Sequence, residues 1–305
     1  MPVSEDRGVL QLQWGAALSS RFPLGLPLLR GDSVVNLFPS ARPLTSSSCF
    51  RLFESGEFLL GFARAKSDGD LTDNAFKLYL EALEAVGRKH LCRVWNFIPA
   101  INAEDACGQE NYRSFCKGRS MAFEAALGQD FNTRLPAASA VGTDDSHLMV
   151  AFVAHRDQPQ HFENPLQVPA YSYPGQYGPR SPSFARATTL CSDGVRHCFV
   201  SGTAAIRGHA TVMPDDTEAQ LRCTLENLQV IMERCGMPGR GEASAGSPRL
   251  IKVYLRQEGD VSLVEDVLRS QLLGAGDRVS YLRSDICRAN LRVEIELTAL
   301  NVPMR

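Results

Sequence analysis

The sequence has no apolar run near the roughly 20 residues that a membrane-spanning helix needs, so no membrane partner is expected. Neither charge predominates: 32 Lys and Arg face 34 Asp and Glu, for a formal net charge of −2. Without a basic footprint, nucleic acid is not expected as a partner. Metal-ligand spacing is missing too. The nine cysteines are scattered with no Cys-x-x-Cys pair, and the six histidines form no His-x-x-x-His face, which argues against a zinc or facial-triad iron centre. No Gly-x-Gly-x-x-Gly turn and no phosphate-binding loop occur, so no nucleotide cofactor is expected either. The start, Met1-Pro2-Val3-Ser4-Glu5-Asp6-Arg7, lacks the basic-then-apolar layout of a signal peptide. These absences predict a cytoplasmic protein with reduced, mostly buried cysteines and no metal or redox cofactor.

What is present is ordinary for a globular chain: 44% hydrophobic and 22% charged residues over 305 positions, enough for two cores or one large one. Short strands are expected at 10–14, 34–38, 49–54 and 57–63, with Pro23, Pro27, Pro39 and Pro43 in the loops between them. A helix at 71–88 is followed by an apolar strand at 90–99, a helix at 109–127 ending at Gly128, and a strand at 148–154. Between 157 and 183, Pro159, Pro165, Pro169, Pro174, Pro179 and Pro182 alternate with Tyr171, Tyr173 and Tyr177. That stretch is too aromatic for a disordered linker and too proline-rich for a helix or central strand. It reads as an ordered loop that carries function. Strands at 184–190 and 196–203, a helix at 217–234, a Gly/Ser-rich loop at 236–248, a strand at 250–256 and a helix at 261–273 follow. Strands at 280–282 and 291–297 close the chain. Helix–strand–helix thus occurs twice, which predicts an α/β protein of two packed α+β units, each a mixed sheet with helices on one face. The expected division is 1–156 and 157–305, the Pro/Tyr-rich loop belonging to the second unit.

The final strand is the most informative stretch. In Leu291-Arg292-Val293-Glu294-Ile295-Glu296-Leu297 the apolar residues alternate, so one face is buried and Arg292, Glu294 and Glu296 share the other. Two carboxylates at that spacing lie about 7 Å apart. They are either a solvated face or a pocket wall in which one works as an acid or base.

The last unit, with its Val-Glu-Ile-Glu strand, resembles the Rid (YjgF) fold. The whole chain from about residue 50 to 300 more closely resembles the chorismatase family, whose C-terminal domain is Rid-like. The matching segments are Glu110-Asn111-Tyr112-Arg113-Ser114-Phe115-Cys116-Lys117-Gly118-Arg119, Gln176-Tyr177-Gly178-Pro179-Arg180-Ser181-Pro182-Ser183-Phe184-Ala185-Arg186-Ala187, Phe199-Val200-Ser201-Gly202-Thr203-Ala204, and the Val-Tyr-Leu-Arg ending at Arg256. The resemblance implies chorismate as substrate, Glu294 as catalytic acid/base, and no metal or redox cofactor. Chorismate carries two carboxylates, so arginines that bind carboxylates bidentately are wanted. Arg119, Arg180, Arg186 and Arg256 are the candidates, with Tyr177 on the loop as a further contact. A solvated helix face is the alternative for Arg119, and loop packing for Tyr177. Glu296 is read as structural or supporting, and Arg113 and His209 as structural.

Within the family, aromatising members resemble this sequence in a cysteine where Cys287 stands and a glycine where Gly202 stands. Hydrolysing members tend to have Ala or Ser at the cysteine position. The resemblance therefore implies 3-hydroxybenzoate and pyruvate as products, with 4-hydroxybenzoate as a second aromatic product, and a place in secondary metabolism. Gly202 would leave room for the ring to tilt. Cys287 would assist proton transfer or add briefly to an epoxide-like intermediate; the alternative is a buried apolar filler. The other functional readings are a hydrolytic chorismatase giving a dihydroxycyclohexadiene carboxylate, a Rid-type imine deaminase, and a non-catalytic binding module. A monomer or small oligomer is expected.

Overall fold

The structure, a computed structural model, describes residues 8–45, 48–67, 70–105, 108–240 and 248–303. The chain start, Cys107 and most of the 236–248 loop lie outside them. In chain order the strands are β1 (Val9–Trp14), β2 (Arg21–Gly31), β3 (Val34–Phe38), β4 (Arg42–Leu44), β5 (Arg51–Ser55) and β6 (Phe58–Lys66). Next come α1 (Leu71–Val86), β7 (His90–Pro99), α2 (Asn111–Leu127), β8 (Ala137–Thr143), β9 (His147–His155) and β10 (Gln160–Phe162). The second half holds β11 (Ala187–Ser192), β12 (Val195–Ala204), the short pair β13 (Ile206–Arg207) and β14 (Ala210–Thr211), then α3 (Thr217–Cys235). It ends with β15 (Arg249–Leu255), α4 (Val261–Gln271), β16 (Arg278–Arg283) and β17 (Val293–Pro303).

Local chemistry sets these boundaries. Asp70 caps α1 by accepting from the Thr72 amide at 2.8 Å, and Asp216 caps α3 by accepting from the Ala219 amide at 2.9 Å, each satisfying a donor that the first helical turn leaves open. Gly236 ends α3 in the left-handed region at φ 67, a conformation that costs glycine little.

The strands form a six-stranded sheet, β4-β5-β6-β9-β7-β8, and a nine-stranded sheet, β10-β11-β12-β17-β15-β16-β2-β1-β3. Both are mixed: β7 runs parallel to β8 and antiparallel to β9, and β15 runs parallel to β16 and antiparallel to β17. One core lies between the sheets, joining Phe62, Trp95, Phe97 and Met149 to Leu12, Leu24, Phe199 and Tyr254. A second packs α1 and α2 onto the outer face of the smaller sheet. A third includes residues of α3 and α4 with Val293, Ile295 and Leu297 on the outer face of the larger one. The layers are therefore helix, sheet, sheet, helix, as the twofold helix–strand–helix pattern predicts.

Sheet membership does not follow the division at residue 156. β1–β3, from the first stretch of the chain, complete the sheet of the second unit. β2 is also a strand where proline spacing indicates loops. Pro23 and Pro27 pair with Gln11 and Val9 of β1, while β16 reaches only Leu28, Arg30 and Gly31. The missing N–H groups thus cost no bond on the β16 side.

Candidate active site

The two-sheet packing decides which face of β17 matters. Its apolar residues point outward to the helices, so Glu294 and Glu296 point inward to the other sheet. They are 4% and 2% exposed, which rules out a solvated face. Opposite them β12 carries a bulge: Val200 pairs with Leu297 and Thr203 with Ile295, so Ser201 and Gly202 together face Glu296. The bulge turns the Gly202 amide to donate to Ser139 Oγ at 2.9 Å. A Cβ on Gly202 would stand 2.0 Å from Glu294 Oε1. A side chain at position 202 would therefore displace the carboxyl end of Glu294.

The two carboxyls have opposite environments. Glu296 accepts from Lys252 Nζ, Arg93 Nη2 and Trp95 Nε1, each at 2.7 Å, and from Ser139 Oγ at 2.5 Å. Burial alone would raise it, but the Lys252 and Arg93 charges and these bonds outweigh burial and hold it at about 2. It is an ionised hub fastening the units together: Arg93, Trp95 and Ser139 come from one sheet, Lys252 and Glu296 from the other. Glu294 has no cationic hydrogen-bond partner among the described residues, only the Cys287 thiol. Burial first, then the Glu296 charge, push it up to about 8 against the pull of Arg93 and Arg186. Neighbouring carboxyls separated in this way divide acid from anion, and Glu294 can donate a proton at neutral pH.

Glu294 lies in the wall of a cavity of about 390 Å³, within the range of small-molecule sites. Arg113, Arg186 and Arg288 line it, together with Glu110, Tyr112, Tyr173, Tyr177, Phe184, Gly202, Cys287 and Asn290. The half-buried Cys287 places Sγ 4.0 Å from Glu294 Oε2. Burial, reinforced by the Glu294 charge, pushes its thiol up to about 12, so it is present as the thiol at neutral pH. The Pro/Tyr-rich loop forms one wall. Tyr177 Oη lies 3.1 Å from His209 Nδ1, Arg288 stacks 4.1 Å from the Tyr177 ring centre, and Arg186 donates to Tyr173 Oη at 2.7 Å. A chamber of about 30 Å³ lies deeper, lined by Arg119 and Ser139 as well as Glu294 and Cys287.

Of the residues singled out from sequence, Glu294, Cys287, Gly202, Arg186 and Tyr177 therefore meet at one cavity, and Arg119 stands at the adjoining chamber. Two of them stand elsewhere. Arg180 is paired with Glu124 at 2.5 Å and does not line the cavity. Arg256 binds Asp285 at 2.7 Å and donates to Asn102 and to the carbonyls of Ile286, Arg288 and Leu291. These bonds fix the segment that carries Cys287, and Arg256 does not line the cavity. Arg113, read as structural, and Arg288, not singled out, line the cavity in their place. Arg288 directly follows Cys287, and that adjacency was the available signal.

A buried carboxyl thus stands beside a thiol in a cleft walled by arginines between two mixed sheets, an arrangement suited to an enzyme acting on an anionic small molecule. The comparisons agree in kind. Residues 38–154 match the family model described as chorismatase FkbO/Hyg5-like, N-terminal. The chain is 41% identical over 253 residues to a 3-hydroxybenzoate synthase of Streptomyces hygroscopicus, spanning 79% of this chain and 73% of that protein. It is 37% identical over 250 residues to a chorismatase of Streptomyces rapamycinicus, spanning 79% and 74%. A crystal structure of a chorismatase superposes with a TM-score of 0.78 at 29% identity, covering 98% of this chain and 95% of that one. The chain belongs to the chorismatase family.

Proposed function

We propose that this protein cleaves chorismate to pyruvate and 3-hydroxybenzoate, with Glu294 as the acid. The observation that carries the reading is Glu294 itself, kept protonated to about pH 8 in the wall of an arginine-lined cavity. Arg113, Arg186 and Arg288 are the partners for the two substrate carboxylates, and Tyr177 contributes from the loop wall. Glu294 gives its proton to the methylene carbon of the enolpyruvyl group, making the ether oxygen a leaving group. The ring carbon–oxygen bond breaks with its electrons going to that oxygen, which leaves as the keto oxygen of pyruvate. The neighbouring ring hydroxyl closes onto the vacated carbon and returns its proton to Glu294. The resulting epoxide opens at the carbon that first bore the hydroxyl. Loss of the ring proton and protonation of the oxygen give 3-hydroxybenzoate. The two products contain all the atoms of the substrate, so neither water nor an oxidant is consumed.

Cys287 serves the last step as a thiol relaying the proton to or from Glu294, not as a free thiolate nucleophile. The deeper chamber favours the hydrolytic alternative as second reading, since about 30 Å³ has room for one or two waters beside the epoxide. The test is to incubate the purified protein with chorismate, follow pyruvate and resolve the aromatic products. Pyruvate with 3-hydroxybenzoate is expected, and accompanying 4-hydroxybenzoate would mean looser ring binding. The diene diol alone would replace the reading by the hydrolytic one. Absence of pyruvate would overturn both and turn attention to imine deamination.

A further inference from the structure

Arg93 on β7 is 0% exposed, yet its guanidinium is only partly engaged. Nη2 donates to Glu296 at 2.7 Å and to Ser139 Oγ, while Nε and Nη1 have no hydrogen-bond partner among the described residues. A buried donor without an acceptor keeps its full desolvation cost, so the free nitrogens call for a partner that the resting state lacks. The carboxyls acting on Arg93 are Glu296, already held, and Glu294, the next inward-facing residue on the same strand. While Glu294 carries its proton it makes little demand on a cation. Once the proton passes to substrate, a buried carboxylate forms within the field of the Arg93 cation.

We propose that Arg93 is a positioning residue with two holds: Nη2 fastens Glu296 permanently, and Nε and Nη1 receive the carboxylate that Glu294 becomes when it gives up its proton. This rests on the reading of Glu294 as the acid. The surroundings fit such a division. Glu294 is faced by Glu296 on its own strand, Tyr254 on β15, Arg93 on β7, Arg186 before β11 and the Cys287 thiol. Arg113, Arg288 and Glu110 line the same cavity. Ser139 secures the first hold, accepting from Arg93 Nη2 and from the Gly202 amide while donating to Glu296.

The two members of the Arg93–Glu296 pair should then affect Glu294 in opposite directions. Removing the cation makes the Glu294 carboxylate harder to form, and removing the anion makes it easier, each by roughly one pH unit. The experiment compares wild type, Arg93→Lys, Arg93→Gln and Glu296→Gln by the alkaline limb of pyruvate release from chorismate. The Glu294 carboxyl is also titrated by carbon NMR of glutamate-labelled protein, its signal assigned from Glu294→Gln. The expected order of the limb and of the titration, from lowest to highest pH, is Glu296→Gln, wild type, Arg93→Lys, Arg93→Gln. Turnover is expected to fall at least tenfold in Arg93→Gln and less in Arg93→Lys. If Arg93→Gln does not fold, the order of the other three decides. Movement in one direction only, or no movement, would make the pair interface glue and overturn the proposal. A wild-type protein inert towards chorismate would instead remove the functional reading, and the NMR order would still decide the role of Arg93.

Discussion

Replacing Glu294 by glutamine should slow turnover sharply and at the same time stabilise the protein at alkaline pH. The folded chain raises this carboxyl from 4.5 to about 8. Between those values the unfolded chain has released the proton and the folded chain has not, so stability falls as pH rises through the window. At about 1.4 kcal/mol for each pH unit between the two values, the loss reaches up to roughly 5 kcal/mol above pH 8 and vanishes below pH 4.5. Glutamine keeps the shape of the protonated acid and has no charge to desolvate, so the variant escapes this cost. Urea unfolding of both proteins across the window would measure it. The difference should be near zero at the acid end and several kcal/mol in favour of the variant at the alkaline end. Pyruvate release should fall by about 10²–10⁴-fold, the usual contribution of a general acid. A difference that does not change with pH, or a wild type more stable than the variant at the alkaline end, would refute the placement of Glu294 as a buried neutral acid.

Gly202→Ala forces the flexible end of Glu294 to move, because its Cβ would lie 2.0 Å from Oε1. Stability should change by no more than about 1.5 kcal/mol while turnover falls about 10–100-fold, read by thermal melting and pyruvate release. Cys287→Ala should shift products towards the diene diol on chromatography, and an unchanged product ratio would count against the thiol's role. Arg180→Ala, breaking a half-exposed ion pair, should cost under about 1 kcal/mol and leave KM within about twofold; a tenfold rise would bring Arg180 into the site. Arg256→Met should destabilise the protein by about 3 kcal/mol, since it takes the donor from Asn102 and from the carbonyls of Ile286, Arg288 and Leu291, and should lower kcat more than it raises KM.

The elements whose sequences alternate, or run apolar with large side chains, were legible before the structure. β3 and β7 fall on the expected residues, 34–38 and 90–99, and α2 ends at Gly128 as expected. β8 was not legible, because Ala137-Ala138-Ser139-Ala140-Val141-Gly142-Thr143 is buried throughout and small residues packed on both sides show no alternation. β2 was hidden by its prolines. The alternation in β17 gave the two faces, yet not what covers the second: a Glu-x-Glu face reads alike towards water and towards another sheet. Arginines were the least legible. Arg186 interrupts a small, apolar stretch and Arg256 ends one, and only the positions of Asp285, Asn102 and the 286–291 carbonyls show that Arg256 is committed. Arg93 and Lys252, which hold Glu296, sit within apolar strands that carry no mark of a partner over 200 residues away in one case and 44 in the other.

The most direct test of the central claim, proton transfer from Glu294 to the enolpyruvyl methylene, is one turnover of chorismate in heavy water with the pyruvate trapped at once by reduction. The exchangeable Glu294 proton is then a deuteron. Pyruvate carrying one deuterium in its methyl group, alongside 3-hydroxybenzoate, is the predicted result, with Glu294→Gln giving neither. Pyruvate without deuterium, or labelled pyruvate formed at the wild-type rate by Glu294→Gln, would contradict the account.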